Sequence, residues 1–211
     1  MKRDDDLLKD VDTEALFRSL ILRLGDDPDR KELSLTPLAA ANAWQAFFQA
    51  GNSSIFSTPA LVANKDAWVA DDKMITLPAL RFLSFRDVDL MPFWGAINTG
   101  YYPKDNHLIN ADSLLNVVRA TTSRIQSANR LATQLCEQVA ACSTQCIVSV
   151  TAMMHIMHHR GVAEPVSDRF TVLETAVSEG DRSRRTMIEN LTGRPAQQED
   201  NNSHEGPNWY Y

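Results

Sequence analysis

The sequence predicts an α+β fold, and three observations carry that reading. Strand-like runs fall at about 74–89 and 94–102, and again at 146–159 and 170–178. Between these pairs lie two helical patterns, 113–125 and 128–141, with apolar residues recurring at three- and four-residue intervals. Two further helical patterns come first, at 13–24 and 36–51. The core order is therefore strand, strand, helix, helix, strand, strand.

Each element has a local cause. In the first helix Asp12 or Thr13 can cap the start, Leu16, Leu20, Ile21 and Leu24 repeat on one face, and Gly25-Asp26-Asp27-Pro28 ends it. The second opens at Thr36-Pro37, a capping residue followed by proline at the first helical position. Its stripe is Leu38, Ala41, Trp44, Phe47 and Phe48, and Gly51 is expected to close it. Residues 52–72 read as loop, being rich in Ser, Asn and Asp. The strand at 94–102 ends at the turn Pro103-Lys104-Asp105-Asn106. Leu114, Val117, Val118 and Ile125 mark the third helix, and Leu131, Leu135 and Val139 the fourth, with the polar step Gln126-Ser127 between them. Residues 170–178 read as the hairpin partner of 146–159, and the tail beyond Leu191 reads as disordered. The terminal Trp209-Tyr210-Tyr211 is either incidental or docks on a neighbouring subunit.

Composition narrows the function classes. The chain has 211 residues, 44% hydrophobic and 23% charged, enough for one core with appendages. A net charge of −6 argues against nucleic acid or an anionic membrane as partner. No apolar run has membrane-spanning length and no signal-peptide pattern follows the N-terminus, so a cytoplasmic protein is expected. Three cysteines, Cys136, Cys142 and Cys146, make no disulfide framework and read as reduced, mostly buried thiols; half of a metal site is the alternative.

Several ordered motifs carry a family resemblance over roughly residues 33–178. Residues 84–95, Ser-Phe-Arg-Asp-Val-Asp-Leu-Met-Pro-Phe-Trp-Gly, resemble the S-L-C-E-H-H-L-L-P-F-F-G signature of GTP cyclohydrolase I. Residues 35–44, ending Ala43-Trp44, are similar to the family's D-T-P-x-R-V-A-x-A-W helix, and Gln126-Ser127-Ala128-Asn129-Arg130-Leu131 matches its Q-x-Q-E-R-L step. The resemblance implies the tunnelling fold (T-fold), in which antiparallel four-stranded sheets of small protomers close into a barrel. It implies a homo-oligomeric ring with sites between subunits, pairing the open sheet edges. On that basis residues 1–72 form an N-terminal helical region, 73–180 the tunnelling-fold domain, and 181–211 a C-terminal helix and tail.

The same resemblance marks what is missing. The family holds Zn²⁺ with two Cys and one His, and here Arg86, Asp89 and Ile156 stand at those positions. Arginine stays protonated and isoleucine has no donor atom, so neither can ligate. The proton-shuttling histidines become Val88 and Met154, and the purine-anchoring Glu becomes Asn129. Of the triphosphate grips Arg160 survives, while Asp112 brings a carboxylate into a segment that has lost its basic groups.

Other side chains suggest replacement chemistry. His155, His158 and His159 cluster in sequence, but strand alternation puts His158 on the face of Met154 and Ile156 and turns the other two away. His158 is either an acid–base partner of Asp89 or Asp112, or a structurally bonded side chain. Arg86 with Asp87 or Asp89 is either a salt bridge filling the zinc position or a substrate clamp with Asp89 as base. The expectation is a zinc-independent, cofactor-free enzyme acting on a small organic molecule other than GTP. A cyclisation, isomerisation or addition in bacterial natural-product biosynthesis would suit it. Arg86, Asp89, Asp112 and His158 would be catalytic, with Asn129, Met154, Ile156 and Arg160 binding substrate. The alternative is a non-catalytic homologue that binds a ligand or a partner protein.

Overall fold

A computed structural model describes residues 12–52, 58–64, 69, 70, 72–155, 169–180 and 182–192. The chain divides into two compact units after Ser53. In the first, α1 (Thr13–Arg23) is capped by Asp12, which accepts from the Glu14 N–H at 3.3 Å. Helix α2 (Thr36–Asn52) runs on through Gly51, which therefore does not end it. Phe17 meets Trp44 edge-on at 5.7 Å, and Trp44 in turn meets Phe48 at 5.7 Å. The expected apolar stripe of α1 is not buried in this unit. Leu16, Leu20 and Leu24 stay 51%, 51% and 76% exposed, because a lone helix pair shares one narrow seam and Phe17 occupies it.

The second unit is built on a four-stranded antiparallel sheet in the order β2-β3-β5-β6: β2 (Ile75–Phe85), β3 (Pro92–Tyr102), β5 (Gln145–His155) and β6 (Arg169–Val177). The α+β class and the strand, strand, helix, helix, strand, strand order are as expected. Strand β2 stops four residues short of the expected end. Arg86 to Met91 instead form a turn, in which Leu90 takes φ 58° and its N–H donates to the Arg86 carbonyl at 3.0 Å. Within the stretch expected as loop, β1 (Leu61–Ala63) pairs with β4 (His107–Ile109) in a separate two-stranded sheet. Such short strands leave no periodic signal, since three residues cannot show alternation.

Helices α3 (Ala111–Thr122) and α4 (Ala128–Ala140) cover one face of the large sheet. Asn110 and Ser127 cap them, accepting from the Ser113 and Arg130 N–H groups at 2.9 and 3.2 Å. Phe93, Ile97, Val148, Val150, Leu131 and Val139 are completely buried between helices and sheet. On the opposite face α5 (Arg184–Thr192) inserts Met187 against Tyr102 and Ile147, and Arg182 lies 3.8 Å above the Tyr102 ring. On that face Leu83 is 43% and Leu173 66% exposed. Among the described residues no helix is long and apolar enough to cross a membrane.

Strands β3 and β5 approach unusually closely at Gly95. A Cβ there would lie 1.9 Å from the Thr151 carbonyl oxygen, a backbone atom that cannot swing aside. Gly95→Ala is therefore expected to destabilise the fold by about 1–3 kcal/mol, the usual cost of overpacking. Gly25→Ala meets no atom within 4 Å and, despite its φ of 88°, should cost less. Urea unfolding of both variants, followed by circular dichroism, checks the order.

Candidate functional site

The end of the sheet where β2 turns into β3 carries Arg86 and Asp89. The Arg86 N–H donates to the Met91 carbonyl at 2.9 Å, which closes the turn and brings residues 86 and 89 side by side. Arg86 then grips Asp89 in a two-pronged ion pair: Nε donates to Oδ1 at 2.9 Å and Nη2 to Oδ2. Asp89 Oδ1 also accepts from the Met91 N–H at 3.1 Å. Both carboxylate oxygens are thus engaged, and the two side chains are 16% and 33% exposed. Burial pushes the Asp89 carboxyl up, but hydrogen bonds from Arg86 and Met91 and the guanidinium charge together hold it below the usual carboxylate range. Such a group is a weak proton acceptor.

The junction between α3 and α4 seals the inner side of this end. The Gln126 N–H donates to the Phe85 carbonyl at 2.8 Å, and its Nε2 donates to the Thr121 carbonyl at 2.5 Å. Ser84 Oγ donates to the Arg124 carbonyl at 2.8 Å. Gln126 is 1% exposed, and its Oε1 has no hydrogen-bond partner among the described residues. Met154 lies opposite Phe93 in the β5–β3 register, one pair from the turn. Val88, at the tip, is 87% exposed.

Asn129, in the first turn of α4, donates from Nδ2 to Glu174 Oε2 on β6 at 3.2 Å. By the family resemblance Asn129 replaces a carboxylate at this point. The structure brings one back from another strand, because Glu174 shares a sheet face with Val150 and so turns toward the helices. The available signal was Glu174 alone in the apolar run Val172-Leu173-Glu174-Thr175-Ala176-Val177. Asp112 is elsewhere. It lies in the first turn of α3, and the residues just past the other end, Arg124 and Gln126, meet Ser84 and Phe85, so about 15 Å of helix lie between Asp112 and the Arg86 end of the sheet within one chain. His155 stands opposite Arg169. Ile156, His158, His159, Arg160 and the tail 193–211 lie outside the described residues.

The sequence model of the GTP cyclohydrolase I family matches residues 13–192, and the chain belongs to that family. It is 27% identical over 155 residues to GTP cyclohydrolase 1 of Corynebacterium aurimucosum, covering 72% of this chain and 77% of the relative. It is 31% identical over 140 residues to the enzyme of the same name from Helicobacter hepaticus, covering 66% of each. A solved structure of the archaeosine synthase QueF-Like in the apo form aligns with a TM-score of 0.34 at 17% identity, over 52% of this chain and 96% of that one.

At the zinc-ligand positions that the resemblance implies, the two described residues, Arg86 and Asp89, do not fit the metal. Arg86 has no lone pair to give, and both Asp89 oxygens are held by Arg86. Among the described residues no three His, Cys, Asp or Glu side chains gather as a metal site.

The ion pair makes a pH-dependent prediction. Because the Asp89 carboxyl titrates lower folded than unfolded, its stabilisation is fully present above the unfolded value of about 4. It is lost as pH falls through the folded value. Wild type should therefore exceed Asp89→Asn in stability at pH 6, with a smaller gap at pH 3. Urea midpoints of both proteins at the two pH values test this.

Proposed function

We propose that this chain is a zinc-independent member of the GTP cyclohydrolase I family that acts on a small organic molecule other than GTP. The observation that carries the reading is the Arg86–Asp89 pair, which puts a closed, internally neutralised fork in the segment where the family resemblance calls for metal ligands. The site would work by positioning a reactive substrate, with no cofactor, in a cyclisation, isomerisation or addition of the kind found in specialised biosynthesis. The Asn129–Glu174 pair supports recognition of a ligand carrying N–H donors, since Asn129 Oδ1 and the second Glu174 oxygen are further acceptors at one place. Met154, Ile156, His158 and Arg160 would complete the site from the end of β5 and beyond. Asp112 would act from a neighbouring subunit, the separation along α3 being too great within one chain. Strands β2 and β6, at the two edges of the sheet, support assembly into a closed homo-oligomer.

Purified protein should contain far less than one zinc per chain and form no formamidopyrimidine or dihydroneopterin product from GTP. Metal analysis and chromatographic assay of one sample check both; stoichiometric zinc with product would overturn the proposal. Native mass spectrometry of the same sample should show a ring carrying a small organic ligand. Once that ligand's reaction is known, Arg86→Ala and Asp89→Ala should each lower its turnover at least tenfold.

The capture of Asp89 by Arg86 favours a second reading, a non-catalytic homologue that binds a ligand or partner protein. Unchanged turnover in both variants would remove Arg86 and Asp89 from the chemistry, and a ligand recovered intact after prolonged incubation would favour this second reading.

A further inference from the structure

We infer that Cys136 and Cys146 are an oxidisable pair that closes to a disulfide joining α4 to β5. The two Sγ atoms are 3.5 Å apart and in hydrogen-bond contact, and Cys146 Sγ also donates to the Cys136 carbonyl at 3.3 Å. Reaching a sulfur–sulfur bond of about 2.05 Å needs the two atoms to close by about 1.5 Å. The third cysteine is held apart: Cys142 Sγ donates to the Pro59 carbonyl at 3.2 Å. The pairing is thus set by geometry rather than by sequence proximity, since Cys142 is nearer to Cys146 along the chain than Cys136 is.

The local chemistry orders the two sulfurs. The Cys136 thiol is pushed far up by its hydrogen bond to Cys146 and by burial. Cys146 is held below its ordinary value by the hydrogen bond from Cys136, against the opposing effect of burial and with help from the Ser178 and Ser143 hydroxyls. The hydrogen bond within the pair favours Cys146 as the nucleophile, and the same disulfide forms in either order. Both residues are buried, Cys146 fully and Cys136 5% exposed, so the oxidant must be as small as a hydroperoxide. The Cys146 thiolate attacks one oxygen of hydrogen peroxide, releasing hydroxide and leaving a sulfenic acid. Cys136 then attacks that sulfur, its proton leaving with the hydroxyl as water. Two thiols and one peroxide give one disulfide and two waters. The product staples α4, whose first turn carries Asn129, to the sheet.

The test uses the full chain under native conditions, treated with hydrogen peroxide, then denatured, alkylated with iodoacetamide and measured by intact and peptide mass spectrometry. The expected protein has lost two hydrogens, takes up alkyl label only at Cys142, and yields a linked peptide joining Cys136 to Cys146. It should melt at a higher temperature than the reduced protein and revert with dithiothreitol. Cys142→Ala should cross-link as wild type does, and Cys146→Ser should keep both remaining thiols open to alkylation. Full alkylation of all three cysteines after treatment would overturn the inference. So would unlinked oxygen adducts at Cys136 or Cys146, or a link involving Cys142.

Discussion

The β3–β5 ladder is the contact on which the rest of the second unit is hung. It runs without interruption from Phe93 opposite Met154 to Tyr102 opposite Gln145, and at Gly95 the two backbones are closer than any side chain would permit. These two central strands are covered on one face by α3 and α4 and near one end of the other by α5. Burying apolar area on both faces is what makes the pair the rigid part of the sheet. The edge strands β2 and β6 then only need to follow it.

The end of the sheet that carries the Arg86–Asp89 turn adjoins this buried pair of strands. Strand β3 starts directly after the Arg86–Met91 turn, so the turn is fixed to a central strand next to the fully buried Phe93. The Arg86–Asp89 fork is partly exposed, and ion pairs of that kind contribute modestly to stability. Its larger consequence is chemical. It neutralises two charges within the turn, and it holds Asp89 ionised and occupied. A second carboxylate, that of Glu174 on β6, accepts from Asn129 on α4.

Much of the fold was legible because helices and long strands carry their own periodicity. The starts of α3 and α4 follow from Asn110 and Ser127, whose side chains bond the first-turn amides. Other features were not legible. The end of β2 was misplaced because Asp87, Val88 and Asp89 continue an alternating pattern while Leu90 adopts a left-handed backbone that pattern cannot show. The exposure of Leu16, Leu20 and Leu24 was hidden because an apolar stripe records that a face is greasy, not what covers it.

The sequence by itself determined the family, the α+β order of elements, and the absence of zinc-ligating chemistry at Arg86 and Ile156, since these follow from residue types at given positions. Only the tertiary structure decided which side chains meet. It joined Arg86 to Asp89 through a turn, brought Glu174 to Asn129 across 45 residues of chain, set Cys136 against Cys146, and left Asp112 at the far end of α3. The physical reason is that pattern encodes local conformation and burial, whereas a pairing between distant polar groups depends on strand register and helix placement. Those are set by the packing of the whole core.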